Sequence, residues 1–169
     1  VYKGEEIAAI IGNCREQFLL SEASEITVEC NPGTVDKEKL LILKEAGVNR
    51  LSIGVQALHD RLLKALGRIH SVRQFYRNYQ LAREMGFTNL SFDLIFGLPG
   101  QTLAEWQETL QIATQLQPEH LSVYGLQVEN GTLFGELQRN GQLPLPDEDT
   151  ELAMYVWAID YLQAQGYEH

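Results

Sequence analysis

The sequence predicts an α/β protein built on a parallel sheet. Four short runs have strand character: EITVEC (25–30), RLSIGVQ (50–56), NLSFDLIF (89–96) and HLSVYGLQ (120–127). Each is followed by a helical pattern, and glycines stand where helices should stop, at Gly47 and Gly86. Strands that alternate with helices form βα units, and strands joined by such crossovers lie parallel.

Taken in order, a leading helix is expected over roughly 5–19, before the first strand. DKEKLLILKEAG supplies the helix after strand one, and LHDRLLKALG with SVRQFYRNYQLAREMG the two after strand two. In the third strand Leu90, Phe92, Leu94 and Phe96 alternate with Ser91, Asp93, Ile95 and Gly97, the two-residue period of a pleated strand. GLPG then breaks it, and Thr102 with Glu105 forms a capping box that opens TLAEWQETLQIATQL. DEDTELAMYVWAIDYLQAQG is the helix after the fourth strand.

Three strands share a Leu-Ser phrase, at 51–52, 90–91 and 121–122, and the first offers Ile26-Thr27 in its place. Aligned on that phrase, Ile26, Val28, Leu51, Ile53, Leu90, Phe92, Leu121 and Val123 face covering helices. Thr27, Ser52, Ser91 and Ser122 face the other way, followed on that face by Glu29, Gly54, Asp93 and Tyr124, with Gln56 one step beyond Gly54. A doubly covered parallel sheet would be apolar on both faces, and a closed barrel would fill its interior with branched apolar residues. A hydroxylated face that turns acidic toward the C-terminal strand ends is a surface for a polar ligand, at the end where βα proteins carry their sites.

Composition narrows the classes. The 169 residues are 44% hydrophobic and 21% charged, enough for one globular domain, expected to span 1–169. The net charge of -10 opposes broad contact with nucleic-acid phosphates or an anionic membrane surface. No apolar run reaches the length of a membrane span, and no signal peptide is visible. Two cysteines, Cys14 and Cys30, form neither a disulfide framework nor a metal site, so a cytoplasmic setting is expected. Val1 is not an initiator methionine, and GYEH stops where a new strand should begin, so a piece of a longer protein is expected.

Several chemistries lack their motifs. GxGxxG after a strand, GxxxxGK[ST], GxSxG and HExxH are all absent from the sequence. His120, at a strand start, reads as structural, and His70 lies between two helices beside Arg68. An arginine in a βα loop suits a ligand carboxylate, while acids and amides suit hydroxyl and ammonium groups. No nucleophile with a general base is visible, so the face reads as a platform for a cofactor that carries the chemistry itself.

VECNPG (28–33), GVNRLSIGVQ (47–56), LGRIH (66–70), FDLIFGLPGQT (92–102) and LSVYGLQVENGTLF (121–134) together resemble radical S-adenosylmethionine (SAM) proteins of the oxygen-independent coproporphyrinogen III oxidase family. The resemblance runs from about residue 5 to the end and is strongest to the HemW, or haem-chaperone, branch. It implies a partial (βα)6 TIM-like barrel of which this chain holds four parallel strands with covering helices. It also implies a CxxxCxxC loop for a [4Fe-4S] cluster and a GGGTP motif for SAM, neither of which is in this sequence.

Carried over by position, Glu29, Gln56, Arg68 and Asp93 match the family's SAM contacts, with Arg68 toward the SAM carboxylate. Gln127 falls on a further contact position of varying residue type, and Tyr124 lies on the same face. The implied partners are SAM, haem or a porphyrinogen, and haem-accepting proteins. Without cluster ligands this stretch alone is expected to be inactive. Three readings stand at this level: a haem chaperone, a true oxidase that decarboxylates coproporphyrinogen III, and an unrelated phosphate- or sugar-binding βα enzyme.

Overall fold

The structure is a computed structural model and describes residues 2–169. Among these, the elements in chain order are α1 (Gly4–Gln17), β1 (Thr27–Cys30), α2 (Lys37–Glu45), β2 (Arg50–Gln56), α3 (Asp60–Ala65) and α4 (Val72–Glu84). They continue with β3 (Leu90–Phe96), α5 (Leu103–Gln115), β4 (His120–Gly125), α6 (Leu133–Arg139) and α7 (Glu148–Ala164). The strands form one sheet in the order β1-β2-β3-β4, so every strand neighbours its successor in the chain. Helical crossovers between adjacent parallel strands give that order.

The caps explain where the helices start. Asp36, Ser71, Thr102, Thr132 and Asp147 each accept a hydrogen bond from a first-turn N–H. The box expected at Thr102 and Glu105 is present, and a second joins Ser71 to Gln74. One element, α6, lies outside the expected set. Its signals are local: Thr132 caps Gly135 N–H at 3.1 Å, and Gly141 follows with a positive φ of 66°.

The chain divides into two compact units. Among the described residues the first comprises 2–55, 70–92 and 118–120. Its core holds Leu40, Leu43, Leu51, Ile53, Val55, Phe75 and Phe92, all at most 1% exposed. Phe92 meets Phe75 edge-on at 5.1 Å and Tyr79 at 5.8 Å, the favoured geometry for aromatic quadrupoles. Here β1 pairs in parallel with β2, Val28 opposite Leu51 and Glu29 opposite Ser52.

That register corrects the alignment on the Leu-Ser phrase, which sets Thr27 level with Ser52. Thr27 instead lies opposite Arg50. The error is two residues, about 6.6 Å along a strand, so it preserves the face and alters the depth. Two paired strands can be offset by an even number of residues without changing which face a side chain lies on, and a sequence phrase does not encode the offset.

The same unit uses part of the hydroxylated face internally. His120 Nδ1 lies 2.8 Å from Ser91 Oγ and 3.4 Å from the Arg50 guanidinium. Arg50 also donates to Thr27 Oγ1 at 3.3 Å and pairs with Glu25 at 3.7 Å. Arginine only donates, so Nδ1 of His120 is the acceptor in that contact. Ser91 is fully buried, and the imidazole satisfies its hydroxyl.

The second unit comprises residues 56–69, 93–117 and 121–169. Leu94, Leu98, Trp106, Leu110, Ala113 and Met154 are its fully buried core. Trp106 donates from Nε1 to the Met154 carbonyl at 3.0 Å and lies 5.6 Å from the Phe96 ring, which ties α5 to α7. Gly125 leaves room for that ring: a Cβ there would come within 3.2 Å of it.

Candidate functional site

Five of the six expected site residues, Gln56, Arg68, Asp93, Tyr124 and Gln127, fall in the second unit. Glu29 falls in the first, exposed on β1 at its C-terminal end. Asp93 is half-buried in the middle of β3, while Tyr124 is 57% exposed near the end of β4. Arg68 is exposed in the turn after α3. Gln127 is exposed and lies past the end of β4, which stops at Gly125 rather than running to 127 as expected.

Gln56 is the most distinctive of these. It ends β2, is only 8% exposed, and has a φ of 65°. A non-glycine residue in left-handed backbone costs about 1–2 kcal/mol. Such strain persists where the surroundings over-determine it, and it concentrates at ligand-binding positions.

The GLPG turn that follows β3 is firmly built. Gln101 N–H donates to the Leu98 carbonyl at 2.9 Å, and Gly100 has a φ of 68°, which with Pro99 makes a type II turn. Gln101 Oε1 accepts from Leu98 N–H at 3.1 Å. Gly100 N–H donates to the Pro144 carbonyl at 2.7 Å. Arg61 donates to the Gly100 carbonyl at 2.9 Å and to both oxygens of Glu105 at 2.5 and 2.6 Å. Partial burial pushes the Glu105 carboxyl up. The Thr102 donors and the Arg61 guanidinium outweigh that and leave it below the usual carboxylate range. Arg61 and Gln101 were not among the expected site residues, because their part is to fix the turn and no motif marks it.

The two histidines of interest are engaged inside the protein. His70 is buried with Nε2 3.4 Å from the Val55 carbonyl, and His120 holds Ser91 as described. Among the described residues no group of three or more His, Cys, Asp and Glu side chains could hold a metal ion. A cleft of about 590 Å³ on the first unit is lined by Asp36, Lys37, Arg77 and Asn78 among others, and Glu29 does not line it. No helix among the described residues is long and apolar enough to cross a membrane.

Comparison with known proteins gives these features a family. The model of the Radical SAM superfamily matches residues 2–113. The chain belongs to the radical SAM superfamily. It is 47% identical over 146 residues to the heme chaperone HemW of Bacillus subtilis (strain 168), covering 86% of this chain and 38% of that protein. To the heme chaperone HemW of Escherichia coli (strain K12) it is 38% identical over 165 residues, covering 98% of this chain and 43% of that protein. The chain therefore spans about two fifths of the length of these relatives.

Among solved structures, it matches coproporphyrinogen III oxidase (HemN) from Escherichia coli, described as a radical SAM enzyme, with a TM-score of 0.85 and 29% identity. That match covers 99% of this chain and 38% of the oxidase. The radical SAM fold class is thus α/β, with four parallel strands and covering helices drawn from a TIM-like barrel. The HemW-type resemblance read from NPGT (31–34), GVNRLSIGVQ (47–56) and LGRIH (66–70) agrees with these relatives.

Proposed function

We propose that this chain is the SAM-binding part of a HemW-type haem chaperone. The observation that carries the reading is Gln56: a buried amide held in left-handed backbone at a strand end, in a chain 47% identical to a heme chaperone HemW. The donor set suits SAM. Arg68 holds the carboxylate by charge-assisted hydrogen bonds, and Glu29, Gln56 and Asp93 take the amino group and ribose hydroxyls. Tyr124 and Gln127 flank the ligand at the end of β4. SAM, when bound beside a reduced cluster, supplies radical chemistry; this chain's residues bind and orient it.

A [4Fe-4S] cluster does not fit the described residues. Such clusters take cysteine thiolates, and the chain has two free cysteines, both half-buried, with no three-ligand group. A cluster's ligands would have to come from residues outside this stretch. Haem, haem-accepting proteins and a cytoplasmic setting complete the proposal. The second reading, a true coproporphyrinogen III oxidase, is favoured by the 0.85 TM-score to HemN. Anaerobic incubation of the intact protein with coproporphyrinogen III separates the two, since decarboxylated product would overturn the chaperone reading.

The SAM site itself is tested with Asp93→Ala. Titration calorimetry of the intact protein should show SAM binding weakened at least about tenfold, the loss of a charged hydrogen-bond partner. Circular dichroism should show the fold retained. Unfolding of the variant would make Asp93 a structural acceptor instead.

A further inference from the structure

Asn78 is polar, on α4, and only 7% exposed. Both atoms of its amide serve one loop. Oδ1 accepts from Gly33 N–H at 2.6 Å, and Nδ2 donates to the Val35 carbonyl at 2.9 Å. That loop leaves β1 immediately after Cys30, two residues beyond Glu29.

The surroundings leave the loop little freedom. Gly33 has a φ of 85°, left-handed backbone that side-chain-bearing residues rarely adopt, and the tip of the Gln74 side chain on α4 lies against it. Thr34 donates to the Asn31 carbonyl from N–H at 3.1 Å and from Oγ1 at 2.7 Å. Asp36 caps α2 through Lys39 N–H at 2.8 Å. Asn78 fastens the middle of this loop with one donor and one acceptor on a short stem. Aspartate would lack the donor, and leucine both groups.

The strand before the loop needs such an anchor. β1 has four residues and lies at the edge of the sheet, so its one ladder is with β2. Glu29 is exposed on it and pairs opposite Ser52. A short edge strand is held by few hydrogen bonds, and the direction of its last side chains depends on what fixes the chain just beyond.

We propose that Asn78 is a positioning residue for Glu29, acting through the Asn31–Asp36 loop. The inference rests on the reading of Glu29 as a SAM-binding group. Asn78 touches no ligand; it sets where the carboxylate stands when SAM arrives.

The experiment is a double-mutant cycle in the intact protein, with the SAM dissociation constant as readout and Glu29→Gln, Asn78→Ala and the double variant compared with wild type. Each single change should weaken binding about tenfold, and the double variant should stay within about twofold of Glu29→Gln alone, because both act through one carboxylate. Additive losses, or an Asn78→Ala variant that binds like wild type, would overturn the proposal. Asn78→Asp keeps the Gly33 acceptor and should recover part of the affinity; it also serves if the alanine variant does not fold. Hydrogen exchange of the peptide spanning 27–36 is measured alongside and should speed up in Asn78→Ala. If wild type fails to bind SAM, the Glu29 reading falls and the proposal with it, whereas binding without coupling sinks the positioning role alone.

Discussion

Replacing Gln56 separates backbone strain from ligand contact, because the two consequences carry different signs. The residue is 8% exposed with a φ of 65°. Compare Gln56→Ala with Gln56→Gly. Relative to alanine, glycine gives up about 0.8 kcal/mol of methyl burial and about 0.5–1 kcal/mol of chain entropy, together about 1.5 kcal/mol. It regains about 1–2 kcal/mol because left-handed backbone no longer clashes with a Cβ. The two variants should therefore unfold within about 0.5 kcal/mol of each other. At an ordinary strand position glycine would be weaker by about 1.5 kcal/mol. Urea unfolding reads the difference as a shift in midpoint at constant slope. SAM affinity should fall alike in both variants, since both lose the amide. A glycine variant weaker by the full amount would refute the left-handed backbone, and unchanged affinity in both would remove Gln56 from the site.

Two further outcomes test the frame around the site. Trp106→Ala should destabilise the protein by about 3–5 kcal/mol in chemical unfolding, because Trp106 is fully buried against Phe96 and its indole N–H bonds the Met154 carbonyl. Trp106→Phe, which keeps the ring contact and loses the hydrogen bond, should lose less. Glu105 should make stability fall in acid. Its folded pKa lies below the ordinary value, so its contribution is complete above the ordinary range near ~4.3 and is lost as pH falls through the lowered value. Arg61→Met, which removes its guanidinium partner, should flatten that stretch of the melting-temperature profile, and an unchanged profile would count against the pairing.

How much of this was legible in the sequence differs from element to element. RLSIGVQ matched β2 residue for residue, since a central strand buried on both faces has an unbroken apolar and small-residue pattern. The capping box at Thr102 was legible because it is local chemistry four residues long. α6 was missed, although Thr132 and Gly141 mark it, because seven residues are too few for a helical period to emerge. The end of β4 was placed too late, at 127, although Gly125 and the reversed alternation at Leu126 and Gln127 mark its end.

The sequence by itself supplied the residues of the proposed site, the strand face they share, and the family. Two-residue alternation fixes the face on which Glu29, Gln56, Asp93 and Tyr124 lie, and short motifs in order mark the radical SAM superfamily, whose model matches residues 2–113. Tertiary structure decided depth, strain and support. Strand stagger set Glu29 opposite Ser52, backbone closure at the end of β2 put Gln56 at a φ of 65°, and Asn78 reached from α4 to residues more than forty positions earlier. Periodicity and capping are written in neighbouring residues, whereas stagger and long-range hydrogen bonds arise only once separate segments share one core.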